Sequence, residues 1–322
     1  MKAKFIVTGG AGFIGSNIVA ALNARGEGDI LVVDERDLGD KAKNLEGLSY
    51  AECVGKDAFR EALNRDRLGD AAVVFHMGAC SSTTETDADF LEDNNYLYTR
   101  ELCDWCLKRR VRFVYASSGA TYGDGSLGYS DDDAVTPTLK PLNLYGLSKQ
   151  KFDMWALESR LFDRIVGLKF FNVYGPREDH KGDMRSVVHK AYGQIMQTGK
   201  VMLFKSYKPA YRDGEQVRDF VYVKDAVDVA LYFGENREAN GLFNVGTGTT
   251  RTWNDLVTAV FAATGREVRV DYIEMPEHLR DRYQYKTQAD IRKLRRIGYD
   301  RPFTSLEEGV RDYVQSYLAP RA

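Results

Sequence analysis

Short apolar runs along this chain alternate with longer stretches in which apolar side chains recur every three or four positions. KFIVT (4–8), ILVVD (30–34), VVFH (73–76), RFVYAS (112–117) and IVGLKFFNV (165–173) read as strands. Helical periodicity separates them, up to Arg25, from about Asp87 to Arg110 and from about Leu144 onward. Consecutive parallel strands need a crossover element, so the alternation predicts an α/β fold with a doubly wound parallel sheet covered on both faces.

Past Tyr174 the pattern loosens. A helix to about Thr198 and the polar stretch KSYKPAYRDGEQVRD (205–219) precede FVYV and FNVG, which read as further strands of the same sheet. From Thr252 the tail offers two or three short helices and one strand. The segmentation predicts a dinucleotide-binding domain over 1–174 and 216–247, and a smaller, interleaved substrate domain over 175–215 and 248–322.

Composition narrows the class. With 322 residues, 45 basic and 47 acidic and no cationic run, nucleic acid is a poor partner. The apolar run at the start, FIV with its neighbours, is too short for a signal peptide or a membrane span, so a soluble cytoplasmic protein without membrane association is expected. Four cysteines do not make a disulfide scaffold at this length. Cys103 and Cys106 form a CxxC inside a helical stretch with no second ligand pair, and read as packed thiols; no metal is expected.

TGGAGFIGS (8–16) carries the first chemistry. It follows a strand and opens a helix, the setting in which Gly9 serves the tight turn, Gly12 admits a pyrophosphate to the backbone, and Gly15 lets helix and strand pack closely. This predicts a Rossmann-like sheet with a dinucleotide site. Asp34 ends the second strand, where a carboxylate holds the adenosine ribose and favours NAD. Arg36, Lys41, Lys43 and Lys56 follow and could reach a 2′-phosphate. The residues leave NAD against NADP open.

YGLSK (145–149) sets Tyr145 and Lys149 on adjacent turns of one helix face. An ammonium beside a phenol favours phenolate, which predicts a Tyr145 pKa drawn down from about 10 toward neutrality. Ser117 and Ser118 stand at the end of the fourth apolar run, whose C-terminal end faces the cofactor crevice. Ser, Tyr and Lys converging on a nicotinamide can move a hydride at one carbon and a proton at its oxygen.

In this order TGGAGFIGS, the Ser strand and YGLSK resemble the extended short-chain dehydrogenase/reductase superfamily. Dehydratases of that superfamily carry Thr-Asp-Glu where Ser118, Gly119 and Ala120 stand here, which argues against elimination of water. FHMGACSSTTE (75–85), EDNNY (92–96), FFNVYGPREDHKGDM (170–184), RDFVYVKD (218–225) and RYQYKTQADI (282–291) resemble more closely the ADP-glycero-manno-heptose 6-epimerases. The resemblance implies epimerisation at C6 of an ADP-heptose, for lipopolysaccharide inner-core precursor, through a transient ketone and a bound cofactor, in a homo-oligomer. A UDP-hexose 4-epimerase on the same scaffold is the alternative, and a non-catalytic cofactor sensor the reading from another class.

The same resemblance assigns roles. Tyr145 and Lys181 become the two acid/base groups, Ser118 a hydrogen-bond partner of the reacting oxygen, and Lys149 the holder of the nicotinamide ribose. Gly9, Gly12, Phe13, Ile14, Gly15, Asp34, Glu35, Lys41, Lys56, Met77, Gly78, Ala79, Cys80, Ser81, Asn94, Val173 and Lys181 are implied to line the cofactor. Asn172, Asp183, His189 or Lys190, Phe204, Lys205, Ser206, Tyr207, Arg218 and Tyr283 are implied, with Ser118, to surround the sugar nucleotide. Arg218 suits a diphosphate because its planar fork binds two oxygens; otherwise it would pair with Asp219 or Asp225.

Overall fold

A computed structural model describes residues 1–280 and 283–319. Arg282, which opens RYQYKTQADI, lies outside the described residues. Seven parallel strands form the central sheet: β1 (Phe5–Thr8), β2 (Ile30–Asp34), β3 (Glu52–Gly55), β4 (Val73–His76), β5 (Arg112–Ser118), β6 (Val166–Phe170) and β7 (Gly241–Val245). Their spatial order is β3-β2-β1-β4-β5-β6-β7. The order reverses between β1 and β4, and a crevice opens at such a switch point beyond the carboxyl ends of the strands.

Side chains alternate across this sheet with period two. Val7, Val32, Phe75, Val114 and Leu168 enter one apolar core, which α1 (Phe13–Ala24) covers with Ile18, Val19 and Leu22. Ile6, Leu31, Val33, Val74 and Phe113 enter the other, closed by α2 (Lys56–Asn64), α3 (Tyr98–Arg109) and α4 (Leu144–Glu158) through Phe59, Leu102 and Phe152. The first core continues into α5 (Val187–Thr198), α6 (Val223–Glu235), α7 (Trp253–Thr264) and α8 (Leu306–Tyr313), so the later helices join the apolar core that lies on this face of the sheet.

Three features differ from the sequence reading. The run 165–173 is two strands: β6 stops at Phe170, level with the ends of its partners β5 and β7. Beyond that point the sheet offers no partner, and Asn172–Tyr174 pairs instead with Phe220–Tyr222. FVYV is therefore in a separate two-stranded sheet, while FNV is the seventh strand. The pair β3 and α2 was invisible because Glu52–Gly55 carries one buried residue, Val54. The tail begins with the 12-residue α7 rather than a short helix, and its strand Val270–Ile273 pairs with Val201–Phe204.

Candidate active site

A cleft of about 760 Å³ opens at the carboxyl ends of the strands, over the switch point. Its floor is the turn from β1 to α1. Gly9 has φ +62°, a left-handed conformation that an L side chain rarely adopts, and a Cβ there would stand 2.7 Å from the Gly78 amide nitrogen. A Cβ on Gly15 would meet the Gly9 carbonyl oxygen at 2.0 Å. Only glycine allows α1 to approach the turn this closely, which exposes its first amides to a phosphate. The turn thus fits a dinucleotide pyrophosphate.

Beneath this floor Thr8 accepts from the Gly78 amide at 3.1 Å and lies 2.6 Å from Nδ1 of His76, whose Nε2 is 2.9 Å from the Thr99 hydroxyl. Complete burial brings the His76 pKa down to about 3, so the ring is neutral and ties β1 to β4. Beside it, Asp34 Oδ2 accepts from the Ala11 amide at 2.9 Å, and Oδ1 from the Glu35 amide at 2.9 Å and from Lys41 at 2.8 Å. Lys56 donates to Asn94 at 2.9 Å and stands 3.5 Å from Glu35.

Asn94 lies in a π turn, Glu92–Leu97, which interrupts the helical stretch from Ala88 to Arg109. Such turns re-aim side chains. Here the next residue, Asn95, accepts from the Cys80 amide at 2.8 Å and donates to the Cys80 carbonyl and to Ser148, each at 3.0 Å. Asn95 therefore binds the 77–81 loop to the helix bearing Tyr145 and Lys149; it stands within EDNNY, but the sequence reading gave a role there only to Asn94.

Asn143 caps that helix by accepting from the Gly146 amide at 2.8 Å, which places Tyr145 in its first turn and Lys149 one turn on. Lys149 donates to the Ala116 carbonyl at 2.8 Å. Burial lowers its pKa to about 8, against the opposing pull of Asp153. The expectation for Tyr145 is corrected: burial raises the phenol pKa, and the hydrogen bond with Ser118 offsets this only in part. Desolvation outweighs charge because Lys149 addresses the Ala116 carbonyl. Lys181, from the turn Asp179–Met184, also lines the cleft, 4.9 Å above the Phe13 ring. Burial lowers its pKa as well, with the Lys190 charge adding to the effect and Glu178 opposing it.

All the residues assigned to the cofactor line this one cleft: Gly9, Gly12, Phe13, Ile14, Gly15, Asp34, Glu35, Lys41, Lys56, Met77, Gly78, Ala79, Cys80, Ser81, Asn94, Tyr145, Lys149, Val173 and Lys181. Ser118 and Asn172 join them, as do Thr8, His180, Met184 and Trp253, which sequence reasoning did not single out. The other sugar-nucleotide candidates stand outside the lining. Asp183 and Lys190 are exposed, and His189 faces Asp179 at 2.7 Å. Lys205 pairs with Glu274 at 2.7 Å, the Ser206 amide donates to Asp213 at 2.7 Å, and Tyr207 stacks under Arg280 at 4.0 Å. Phe204 ends the strand pairing with Val270–Ile273.

Arg218 sits one side chain behind the cleft wall, 5.4 Å from the Trp253 ring and 5.2 Å from that of Tyr283. It is 6% exposed, and its guanidinium donates to its neighbour's carbonyl, that of Val217. Asp219 is taken by Thr247, Gly248 and Ala289, and Asp225 by Thr304, so neither serves as its ion pair. Cys103 and Cys106 are fully buried in α3.

Residues 5–246 match the family described as NAD dependent epimerase/dehydratase. The chain belongs to that family. It is 57% identical over 316 residues to the ADP-L-glycero-D-manno-heptose-6-epimerase of Nitratidesulfovibrio vulgaris (strain DP4), with 98% of both chains covered. The Helicobacter pylori ADP-L-glycero-D-manno-heptose-6-epimerase superposes with a TM-score of 0.83 at 28% identity, covering 99% of this chain and 97% of that one. UDP-glucose 4-epimerase of Thermus thermophilus, solved in complex with NAD, gives 0.74 at 28% identity with 98% of each covered.

Proposed function

We propose that the chain interconverts ADP-D-glycero-D-manno-heptose and ADP-L-glycero-D-manno-heptose at C6, with a tightly held nicotinamide dinucleotide, in lipopolysaccharide inner-core precursor synthesis. One observation carries the reading. Two separate segments of the chain bring a proton-exchanging group each, Tyr145 and Lys181, into the cleft whose walls fit a dinucleotide. Inversion at a carbon requires a proton partner for each orientation of its oxygen, since a displacement of about 1 Å already costs proton-transfer geometry.

Held by the glycine turn of Gly9, Gly12 and Gly15 with Asp34 and Lys149, a bound dinucleotide would supply the hydride acceptor and donor that reversible oxidation at C6 needs. Tyr145 and Lys181 each hold or remove the hydroxyl proton in one orientation. Ser118 orients the oxygen. Lys149, near pKa 8, would hold the nicotinamide ribose. Arg218, buried beside Trp253 and Tyr283 without a carboxylate partner among the described residues, is suited to the substrate diphosphate.

Lys41 and Lys56, with Arg36 beside them, favour a 2′-phosphate and hence NADP over NAD. Residues 175–215 and 248–322 act as the substrate domain, with Asp183, His189, Lys190 and 204–207 closing on the sugar nucleotide. The protein works in the cytoplasm as a homo-oligomer; among the described residues no helix is long and apolar enough to cross a membrane.

The test is substrate choice. Purified protein incubated with ADP-heptose should equilibrate the two C6 epimers, read by proton NMR, and leave UDP-glucose unchanged. Conversion of UDP-glucose with ADP-heptose untouched overturns the assignment in favour of a 4-epimerase.

A further inference from the structure

Two turns distant in sequence meet directly over the phosphate-binding glycines. One is Gly39–Leu45, which carries Lys41; the other is Asp179–Met184, which carries Lys181. Asn44 joins them. Its side-chain amide donates to the Ala11 carbonyl at 2.8 Å, within the glycine turn, and lies 3.0 Å from Nδ1 of His180. A carbonyl can only accept, so the Ala11 contact fixes the amide's NH2 end, and His180 must offer an unprotonated Nδ1.

Further bonds converge on the same place. The Arg177 guanidinium donates to the Asn44 backbone carbonyl, and Asn17, on α1, donates to the Pro176 carbonyl at 2.9 Å. Arg177 has φ +73°, a left-handed conformation that a non-glycine residue keeps only when its surroundings over-determine it. The base of the loop is tied by Glu178, fully buried, which accepts from the Ser186 amide and hydroxyl at 2.6 Å each. Asn44 and Arg177 contact neither Tyr145 nor the strand carrying Ser118 among these bonds, and the acid/base chemistry has no use for them.

We propose that Asn44, Arg177 and His180 form a clasp across the glycine turn that retains the dinucleotide between turnovers and presents Lys181 to the cleft. They are positioning residues. The clasp rests on the reading above that a dinucleotide stays bound through many reaction cycles. Its members bridge the ribose-side turn and the acid/base turn, so opening it frees both ends of the cofactor's cover at once.

The experiment measures dissociation of the dinucleotide from the full-length protein by rapid filtration after a chase with excess unlabelled cofactor. Asn44→Ala and Arg177→Ala should each release it roughly tenfold faster or more, the scale of one lost hydrogen bond to a charged or buried partner. His180→Gln, whose carbonyl can accept from Asn44, should keep slow release, whereas His180→Leu should not. This split separates positioning from general loosening of the fold. It also stands if Asn44→Ala proves too unstable to purify. Native release rates in Asn44→Ala and Arg177→Ala, or equal acceleration in both His180 variants, overturn the clasp alone. Native protein that purifies without dinucleotide overturns the functional reading and the clasp together.

Discussion

Replacing Asp153 with alanine should be among the most damaging single changes in this protein. Asp153 and Lys169 form an ion pair at 2.8 Å with both side chains at 0% exposure. The carboxylate also accepts from the Tyr115 and Ser117 hydroxyls at 2.7 Å each, and Lys169 donates besides to Thr121 at 2.6 Å. Removing one member of such a pair leaves a buried charge uncompensated and costs about 3–5 kcal/mol. The two orphaned hydroxyls push toward the upper end of that range, at about 1–3 kcal/mol for a buried polar group left without its partner. Removing both charges should be far milder, because apolar side chains of similar volume replace a buried pair at little cost.

The assay is guanidinium unfolding followed by circular dichroism, comparing Asp153→Ala with the double change Asp153→Leu, Lys169→Met. The single variant should lose the larger amount and the double variant should recover most of it. Function should report the same network. Asp153 holds the Lys149 pKa up against burial, so in Asp153→Asn the limb of the rate profile that reports Lys149 should move to lower pH. A single variant that loses under about 1 kcal/mol, or one no less stable than the double, refutes the reasoning.

Tyr145→Phe and Lys181→Met should each slow epimerisation by about 10²–10⁴-fold, the contribution of one positioned acid/base group, while the nucleotide content read by chromatography stays native. Gly15→Ala should destabilise by about 1–3 kcal/mol through overpacking against the Gly9 carbonyl, and should purify with less bound dinucleotide. His180 faces Lys41 and Lys181 as cations and Asp34 and Asp179 as anions, and burial chiefly sets its pKa below 6.5. Its neutral ring therefore contributes stability that is present above 6.5 and lost as pH falls through the lowered folded-state value. Dinucleotide release should accelerate over that acid range in the native protein and not in His180→Gln.

What could be read from the sequence followed from how local each signal is. β2 and β4 were legible to the residue because every position in them is buried, which writes an unbroken apolar run. β3 was not, since an edge strand with one buried residue has no such run. The glycine turn was legible because steric exclusion at Gly9 and Gly15 leaves glycine as the only choice. Asn44, Asn95 and His180 were not: their roles come from partners 33, 53 and 136 positions away, and one polar residue carries no periodicity. The Tyr145 pKa was misjudged in direction for the same reason, because burial and the bond from Lys149 to Ala116 depend on tertiary packing.

Isotope retention at C6 bears most directly on the account. ADP-heptose carrying deuterium at C6, equilibrated by the enzyme in ordinary water, should yield both epimers with the label intact at that carbon, and unlabelled substrate run in deuterium oxide should gain none there. Loss of the label to water, or its appearance from deuterium oxide, would contradict removal and return of the same hydrogen within the cleft.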